Sequence, residues 1–317
     1  MRSSFAPPFI LAAAFAALLL LVAAALTVVA MRKGVAPHLL LLVSSKAELA
    51  SQPGLDAYFA SMTPCDVGAR SPLGCADAAG YVACLMPAGS IGGDSVAALQ
   101  VDIAAAESAM RVSGFPDAML SPQLGSWRVA VLSDRAEGGW PHTHGGVICL
   151  PASMVRGKGG HARVHTLVHE RVHVFQRAHP DAVARLVQGE WRMRPRPLTQ
   201  IDPSVARRRR SNPDLDGSLY YTGEDGATSA AAVTLFSSEA DASTGGLAAG
   251  RTCLVGLGGT ELPPSDRLPQ PAYEHPYEAM AYLLAEVAVP MRSIDAERSS
   301  ELTAGIRRWM MAYRTYS

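Results

Sequence analysis

The chain has 317 residues, and 49% of them are hydrophobic, which is ample for one large packed domain or two small ones and disfavours disorder. Its 28 basic side chains are matched by 28 acidic ones. Because the summed charge creates no long-range positive field, we expect no nucleic-acid partner.

The first element along the chain is an uncharged apolar segment from Phe9 to Ala30. Its length suits the roughly 20 residues that a helix needs to cross a bilayer. It exceeds the roughly 7–15 residues of the hydrophobic region in a cleavable signal peptide. Residues 1–33 are therefore predicted to be a membrane anchor. By the usual behaviour of single N-terminal anchors, the rest of the chain should lie on the extracytoplasmic side. Val28-Val29-Ala30 could also serve as a cleavage site, so secretion after signal cleavage is the alternative.

Residues 34–93 mix apolar runs with Pro, Gly and Ser. They are predicted to be a linker leading into the domain, with a short helix near Lys46–Ala60, and the domain itself is predicted to span residues 94–317. The five cysteines fit neither a CxxC zinc site nor a dense disulfide framework. They are Cys65, Cys75, Cys84, Cys149 and Cys253. A disulfide within the first three and buried free thiols are both compatible with this spacing.

Regular structure is predicted from residue 95 onwards. An Ala-rich segment at Ser95–Val112 has helical periodicity, and two apolar runs, Trp127–Leu132 and Gly146–Leu150, are typical of strands. A Gly-rich turn at Gly157–Gly160 then precedes a helix predicted over Ala162–Ala178. Apolar residues recur in that helix at helical spacing, and a proline follows its end.

The second half of the domain is predicted to be mostly helical. Residues 192–227 are rich in Pro, Arg, Asp and Gly, which indicates a long excursion, and such a loop is uncommon in a compact domain unless it lines a site. The basic run within it, Arg207–Arg210, is expected to be solvated. Two helices follow, near His275–Val287 and Asp295–Tyr316. The predicted fold class is α+β.

The sequence His169-Glu170-Arg171-Val172-His173 is an HExxH motif within the predicted helix. Residues four apart lie on one face of a helix, so His169 and His173 can direct imidazole nitrogens at one metal ion. Glu170 is then placed to reach a water at the metal rather than the metal itself. The motif therefore predicts a zinc site with Glu170 as general base.

A catalytic zinc ion normally takes three protein ligands, and two residues could supply the third. Glu278 opens the predicted helix about a hundred residues after the motif. His179 stands where the metzincin pattern HExxHxxGxxH has its third histidine, but Gln176 replaces the glycine that allows the backbone to turn. In a continuing helix His179 would lie about 15 Å from His169 along the axis. Glu278 is therefore the favoured ligand.

With these residues the chain resembles zincin metallopeptidases, and the distant glutamate is similar to that of the gluzincin branch. The resemblance covers residues 146–288 and extends to uncharacterised bacterial zincin-like proteins. It implies His169, His173 and Glu278 as zinc ligands and a peptide or protein as substrate. It also implies that Gly146–Leu150 forms the sheet edge that pairs with an extended peptide.

The resemblance further implies a zincin-like arrangement, in which a small twisted sheet and the motif helix precede a mostly helical half, with the cleft between them. One departure stands out. Many gluzincins place an aspartate four residues after the ligand glutamate, where this chain has Tyr282. A different group must then orient the histidines. A membrane-bound zincin-fold protein that binds or assembles without catalysis is therefore an alternative, and an accidental motif without bound metal is another.

The other polar candidates are expected to be structural. His161 and His165 point progressively away from His169 as the helix turns. His142 and His144 are expected to lie in a loop, although they could contact substrate. Tyr220, Tyr221 and Tyr282 are possible oxyanion donors with packing roles as the alternative. The acidic turn Asp214–Gly217 lacks the ligand spacing of a calcium loop.

Overall fold

The computed structural model describes residues 40–70, 81, 91–120, 124, 126–221, 230–256, 260–261, 274–291 and 296–316. The strands are β1 Leu40–Leu42, β2 Trp127–Leu132, β3 His142–His144, β4 Val147–Pro151, β5 Arg194–Pro197, β6 Ser218–Tyr221, β7 Ala230–Leu235 and β8 Arg251–Gly256. The first helices are α1 Lys46–Ala50, α2 Leu55–Ala60, α3 Pro64–Arg70, α4 Gly93–Val112, α5 Asp117–Leu120 and α6 Ala152–Arg156. They are followed by α7 His161–Ala178, α8 Pro180–Ala184, α9 Pro203–Arg208, α10 Glu239–Gly245, α11 Pro276–Ala288 and α12 Ala296–Tyr316. The α+β class is confirmed.

The apolar segment Phe9–Ala30 lies outside the described residues, as do Cys75 and Cys84. Among the residues that are described, no helix combines the length and the apolar character needed to cross a membrane. Cys65, Cys149 and Cys253 are buried free thiols.

The central sheet has four strands in the order β1-β2-β4-β3. The first three run parallel, and β3 is antiparallel to β4. Side chains alternate between the two faces of the strands. Ile148 and Leu150 therefore join the large core around α7, whereas Val147 and Cys149 join a smaller cluster on the opposite face.

The prediction that Gly146–Leu150 forms the sheet edge is wrong. Strand β4 lies between β2 and β3, and the edge strand is β3. His142 and His144 are therefore in a buried strand, not in the loop that we expected. The physical reason is the short Gly145-Gly146 turn, in which Gly145 has φ 57° and allows the chain to fold back tightly.

Helix α7 is buried along most of its length and carries the HExxH motif. It begins after Gly160, whose φ of 98° suits glycine, and it ends before Pro180, which cannot continue the ladder of hydrogen bonds. Leu167, Val172 and Phe175 are fully buried in the main core. Helix α11 contributes to the same core, so the two helices that carry the predicted ligands are fixed in one apolar unit.

The N-terminal part of the described chain belongs to the same compact unit, which begins at Leu40. Strand β1 pairs in parallel with β2. The single helix predicted at Lys46–Ala60 is instead two short helices, α1 and α2. Pro53 and Gly54, with φ 84°, separate them because neither residue favours a helix interior.

The segment after the motif contains more strand than predicted. Strands β5 and β6 pair within the expected excursion, and β7 pairs with β8 beyond it. The prediction of a mostly helical second half is therefore wrong for residues 194–256. The basic run is not simply solvated either, because Arg209 is buried and Arg210 forms an ion pair with Glu274 at 2.9 Å.

Candidate metal centre

The three predicted ligands meet at one point between α7 and α11. The Nε2 atoms of His169 and His173 lie 3.0 Å apart. One carboxylate oxygen of Glu278, Oε2, lies 3.3 Å from Nε2 of His169 and 3.7 Å from Nε2 of His173. Helical spacing explains the first distance, since the two histidines are one turn apart. The packing of α11 against α7 explains the other two.

These distances fit a tetrahedral metal ion. In such a site with bonds near 2.0 Å, two ligand atoms are separated by about 3.3 Å, which lies within the range found here. A triangle with the three measured sides has a point about 2.0 Å from every corner, the length of a zinc bond to nitrogen or oxygen. The spacing of the three donor atoms is therefore compatible with one metal ion.

Gln176 fixes the orientation of the His173 ring. Its Oε1 lies 2.7 Å from Nδ1 of His173, and its Nε2 donates to the carbonyl of Tyr277 at 2.9 Å. Because the amide nitrogen is engaged by Tyr277, Oε1 accepts from Nδ1–H, which leaves Nε2 of His173 free to bind a metal. Gln176 thus orients a histidine and links α7 to α11. Sequence reasoning had treated Gln176 only as a missing glycine.

Tyr282 occupies the place of the expected orienting aspartate. Its ring packs edge-on against His169, with 4.4 Å between the ring centroids. Within the described part of the chain, Nδ1 of His169 is buried and has no hydrogen-bond partner. His169 is therefore positioned by ring packing, whereas a hydrogen bond positions His173.

A loop residue, Asn212, positions the carboxylate of Glu278. Its Nδ2 donates to Oε1 of Glu278 at 2.7 Å. With Oε1 engaged in this way, Oε2 is directed at the two histidines. Sequence reasoning missed Asn212. The only available signal was the expectation that a long excursion lines a site.

Asp214, in the same loop, accepts from the backbone N–H of Thr143 at 2.8 Å and from the Thr143 hydroxyl at 2.5 Å. Arg177 lies 3.4 Å from the same oxygen. Asp214 therefore accepts the hydrogen bond of the Thr143 N–H, which faces outward in the middle of edge strand β3. An extended peptide cannot use this donor while Asp214 holds it.

Asp214 also belongs to a second group of acidic and histidine side chains. One donor atom each from Glu170, His173 and Asp214 lies within 4.8 Å of the others. Since Oδ1 of Asp214 is engaged by Thr143 and Arg177, this group is less suited to a metal than the one that contains Glu278. It supplies negative charge beside the centre instead.

A buried ionic network holds the loop in place. Arg70 makes ion pairs with Asp66 at 3.1 Å and with Glu137 at 2.7 Å, and it donates to the carbonyl of Ser211 at 3.0 Å. Asp66 in turn accepts from the backbone N–H and the hydroxyl of Ser211, each at 2.8 Å. Ser211 directly precedes Asn212, so helix α3 fixes the backbone that carries the metal-facing loop.

Glu170 lies beside the ligands and faces a cleft of about 280 Å³. The cleft is also lined by Trp140, His142, His165, Asp214, Glu278 and Tyr282. Glu170 is buried, and its Oε2 has no hydrogen-bond partner among the described residues. Burial, reinforced by the charge of Asp214, raises the pKa of the Glu170 carboxyl well above its usual value.

The electrostatics of the centre suit a bound cation. Although burial favours the neutral ring, the carboxylates of Asp214 and Glu278 raise the pKa of His173 to about 9. Burial has the larger effect on His169 and lowers its pKa. Burial raises the pKa of Glu278, but the charges and hydrogen bonds of His173 and His169 together outweigh this effect and hold the pKa well below its usual value. The carboxylates of Glu170, Asp214 and Glu278 thus converge on His169 and His173.

The remaining candidates are not among the three proposed ligands, although His165 and Tyr282 line the cleft. His179 ends α7 and stacks on Phe175 with 4.6 Å between ring centroids, and it is not among the clustered metal-binding side chains. His161 contacts the carbonyl of Pro290, and His165 lies 3.4 Å from Glu286. Tyr220 donates to Asp216 and Tyr221 to Gly256. Of the three tyrosines, Tyr282 is the one that lines the cleft.

Comparison of the chain with protein-family models, with curated protein sequences and with solved structures finds no match. The proposed function therefore depends on the geometry of the centre.

Proposed function

We propose that the chain is a zinc metallopeptidase of the zincin type, similar to the gluzincin branch, that hydrolyses peptide bonds in a peptide or protein substrate. The observation that carries the proposal is the triangle of donor atoms from His169, His173 and Glu278, with sides of 3.0, 3.3 and 3.7 Å. Two imidazoles and one carboxylate are a ligand set of catalytic zinc sites that keep a position open for water or substrate.

In this proposal a bound zinc ion supplies Lewis acidity towards water and towards the scissile carbonyl. Glu170 accepts the proton of the attacking water and then donates it to the leaving amine. Its buried carboxyl, with one oxygen unengaged within the described structure, suits this exchange of a proton. Tyr282 lines the same cleft and is the candidate donor to the oxyanion.

The placement of the enzyme is also part of the proposal. The segment Phe9–Ala30 would anchor the chain in a membrane, with the catalytic domain on the extracytoplasmic side. Cleavage after Ala30 and secretion is the alternative placement.

Zinc content of the purified full chain tests the ligand set. We expect about one zinc ion at this centre in the wild type, loss of that ion in Glu278→Ala and no loss in the matched control His179→Ala. Full zinc retention by Glu278→Ala together with loss in His179→Ala would overturn the ligand assignment. Hydrolysis of a peptide library should stop on removal of zinc by a chelator and return when zinc is restored.

A second candidate is a zincin-fold protein that binds or assembles at the membrane without catalysis. The observation that favours it is the place of Tyr282, which leaves Nδ1 of His169 without a hydrogen-bond partner in the described structure. A loosely oriented ligand weakens a metal site. Stoichiometric zinc without cleavage of any library peptide would support this candidate, whereas chelator-sensitive self-cleavage would exclude it.

A further inference from the structure

A second group of metal-binding side chains lies on the hairpin formed by β3 and β4. His142 and His144 are two residues apart in a strand and therefore face the same side of the sheet. Cys149 is the register partner of His142 on the neighbouring strand, so its side chain faces that side too. One donor atom from each of these residues lies within 4.8 Å of the others.

This group shares no residue with the proposed ligands at the HExxH motif, although His142 lines the same cleft. Cys149 belongs to the apolar cluster on the face of the sheet opposite α7, where the Ile148 and Leu150 side chains pack. Between the two histidines, Thr143 contacts Asp214 and Arg177. The alternation of β3 thus places the side chains of the two histidines on the opposite face of the strand from that of Thr143.

The two imidazoles are arranged as metal ligands would be. Both are about 3% exposed, and within the described residues the Nε2 atom of each is buried without a hydrogen-bond partner. Native structures rarely leave such atoms unsatisfied. Nδ1 of His142 lies 3.0 Å from the carbonyl of Trp140. A carbonyl only accepts, so Nδ1–H donates to it, and Nε2 is the ring nitrogen that is left to bind a metal.

We propose that His142, His144 and Cys149 form a second site for a transition-metal ion of the zinc class, bound through two imidazole nitrogens and one thiolate. These are donors that zinc prefers. Binding forms a metal–sulfur bond and releases the thiol proton of Cys149 to water. The proposal does not rest on the peptidase function, because it uses none of the residues of that centre.

Metal binding at this site depends on the spacing of the donor atoms and on the cavities beside the histidines. A tetrahedral ion separates a nitrogen from a sulfur ligand by roughly 3.5 Å. Any pair of these donor atoms that lies nearer the 4.8 Å limit must close by rotation of the side chains. His142 lines the cleft of the first centre, and His144 lines another cavity of about 290 Å³. Each of the two buried imidazoles therefore lies beside a cavity.

Cobalt binding to the full chain tests the proposal, because a thiolate ligand gives Co²⁺ an intense near-ultraviolet charge-transfer absorption. We expect this absorption in the wild type, its loss in Cys149→Ser and its retention in Cys253→Ser, which alters another buried thiol. The absorption should also persist in His169→Ala, which removes a ligand of the first centre. Bound zinc should fall by about one ion per chain in Cys149→Ser.

Absence of thiolate absorption in the wild type at saturating Co²⁺ would overturn the proposal. So would an absorption that Cys149→Ser leaves unchanged. His144→Gln retains a polar side chain and provides a second variant if Cys149→Ser does not fold. It should lower the affinity for Co²⁺ at least about tenfold, and an unchanged affinity would contradict a role as ligand.

Discussion

The candidate metal centre is assembled from two regions that position their side chains in different ways. Helices α7 and α11 present His169, His173 and Glu278 from a shared apolar core. The loop from Ser211 to Asp214 contributes Asn212 and a carboxylate, and a buried ionic network around Arg70 holds it. The orientation of the proposed ligands therefore depends on apolar packing in the helix region and on ion pairs in the loop region. Substitutions should separate the two contributions.

The largest expected effect comes from the helix region. Glu170→Gln removes the proposed base but keeps the shape of the side chain, so hydrolysis should fall by about 10²–10⁴-fold. Zinc content should stay unchanged, because Glu170 is not a proposed ligand. The exposed Glu239→Gln is the control and should keep full activity. Wild-type hydrolysis by Glu170→Gln would remove the proposed mechanism.

In the loop region, Arg70→Ala breaks two buried ion pairs at once. Loss of one partner of a buried ion pair costs about 3–5 kcal/mol, because the remaining charges stay buried. Urea unfolding should show this loss, and the exposed Arg308→Ala should show little. A change below about 1 kcal/mol for Arg70→Ala would mean that the network does not hold the loop.

Acid should weaken the same network. The pKa of Glu137 is lowered to about 2, because Arg70 outweighs the effect of burial. A lowered carboxyl pKa adds stability that is complete above the unfolded value of about 4.5 and is lost as the pH falls towards 2. The stability difference between wild type and Glu137→Gln should therefore shrink between pH 4.5 and pH 2. A difference that stays constant over this range would contradict the lowered pKa.

The smallest effects are expected from two substitutions, one in the helix region and one in the loop region, which together compare the two regions directly. Gln176→Ala removes the hydrogen bond to His173, and Asn212→Ala removes the one to Glu278. Each should lower zinc affinity by about 10–100-fold, since groups that orient metal ligands typically contribute this much. Competition with a chromogenic chelator measures both. Unchanged affinity in Asn212→Ala alone would show that helix packing suffices to direct Glu278.

The sequence predicted the helix region well because its signals are local. The predicted start of α7 differs by one residue from the observed one, and the bounds of β2 agree completely. Helical periodicity in one and an apolar β-branched run in the other are visible within a few residues. The spacing in HExxH likewise predicted the juxtaposition of His169 and His173.

The loop region could not be predicted in the same way because its contacts are distant in the chain. Asn212 and Glu278 are 66 residues apart, and Thr143 and Asp214 are 71 apart. Strand β7 was missed because its sequence, AAAVTL, begins with three alanines, which have low β propensity. The edge position of β3 depends on a two-glycine turn whose importance is clear only in the folded sheet.

The most direct test of the central claim is a crystal structure of the full chain with anomalous diffraction measured on both sides of the zinc absorption edge. We expect an anomalous peak about 2.0–2.2 Å from Nε2 of His169, Nε2 of His173 and Oε2 of Glu278. The absence of a peak there in zinc-saturated crystals, or a peak bound by His179 instead of Glu278, would contradict the account.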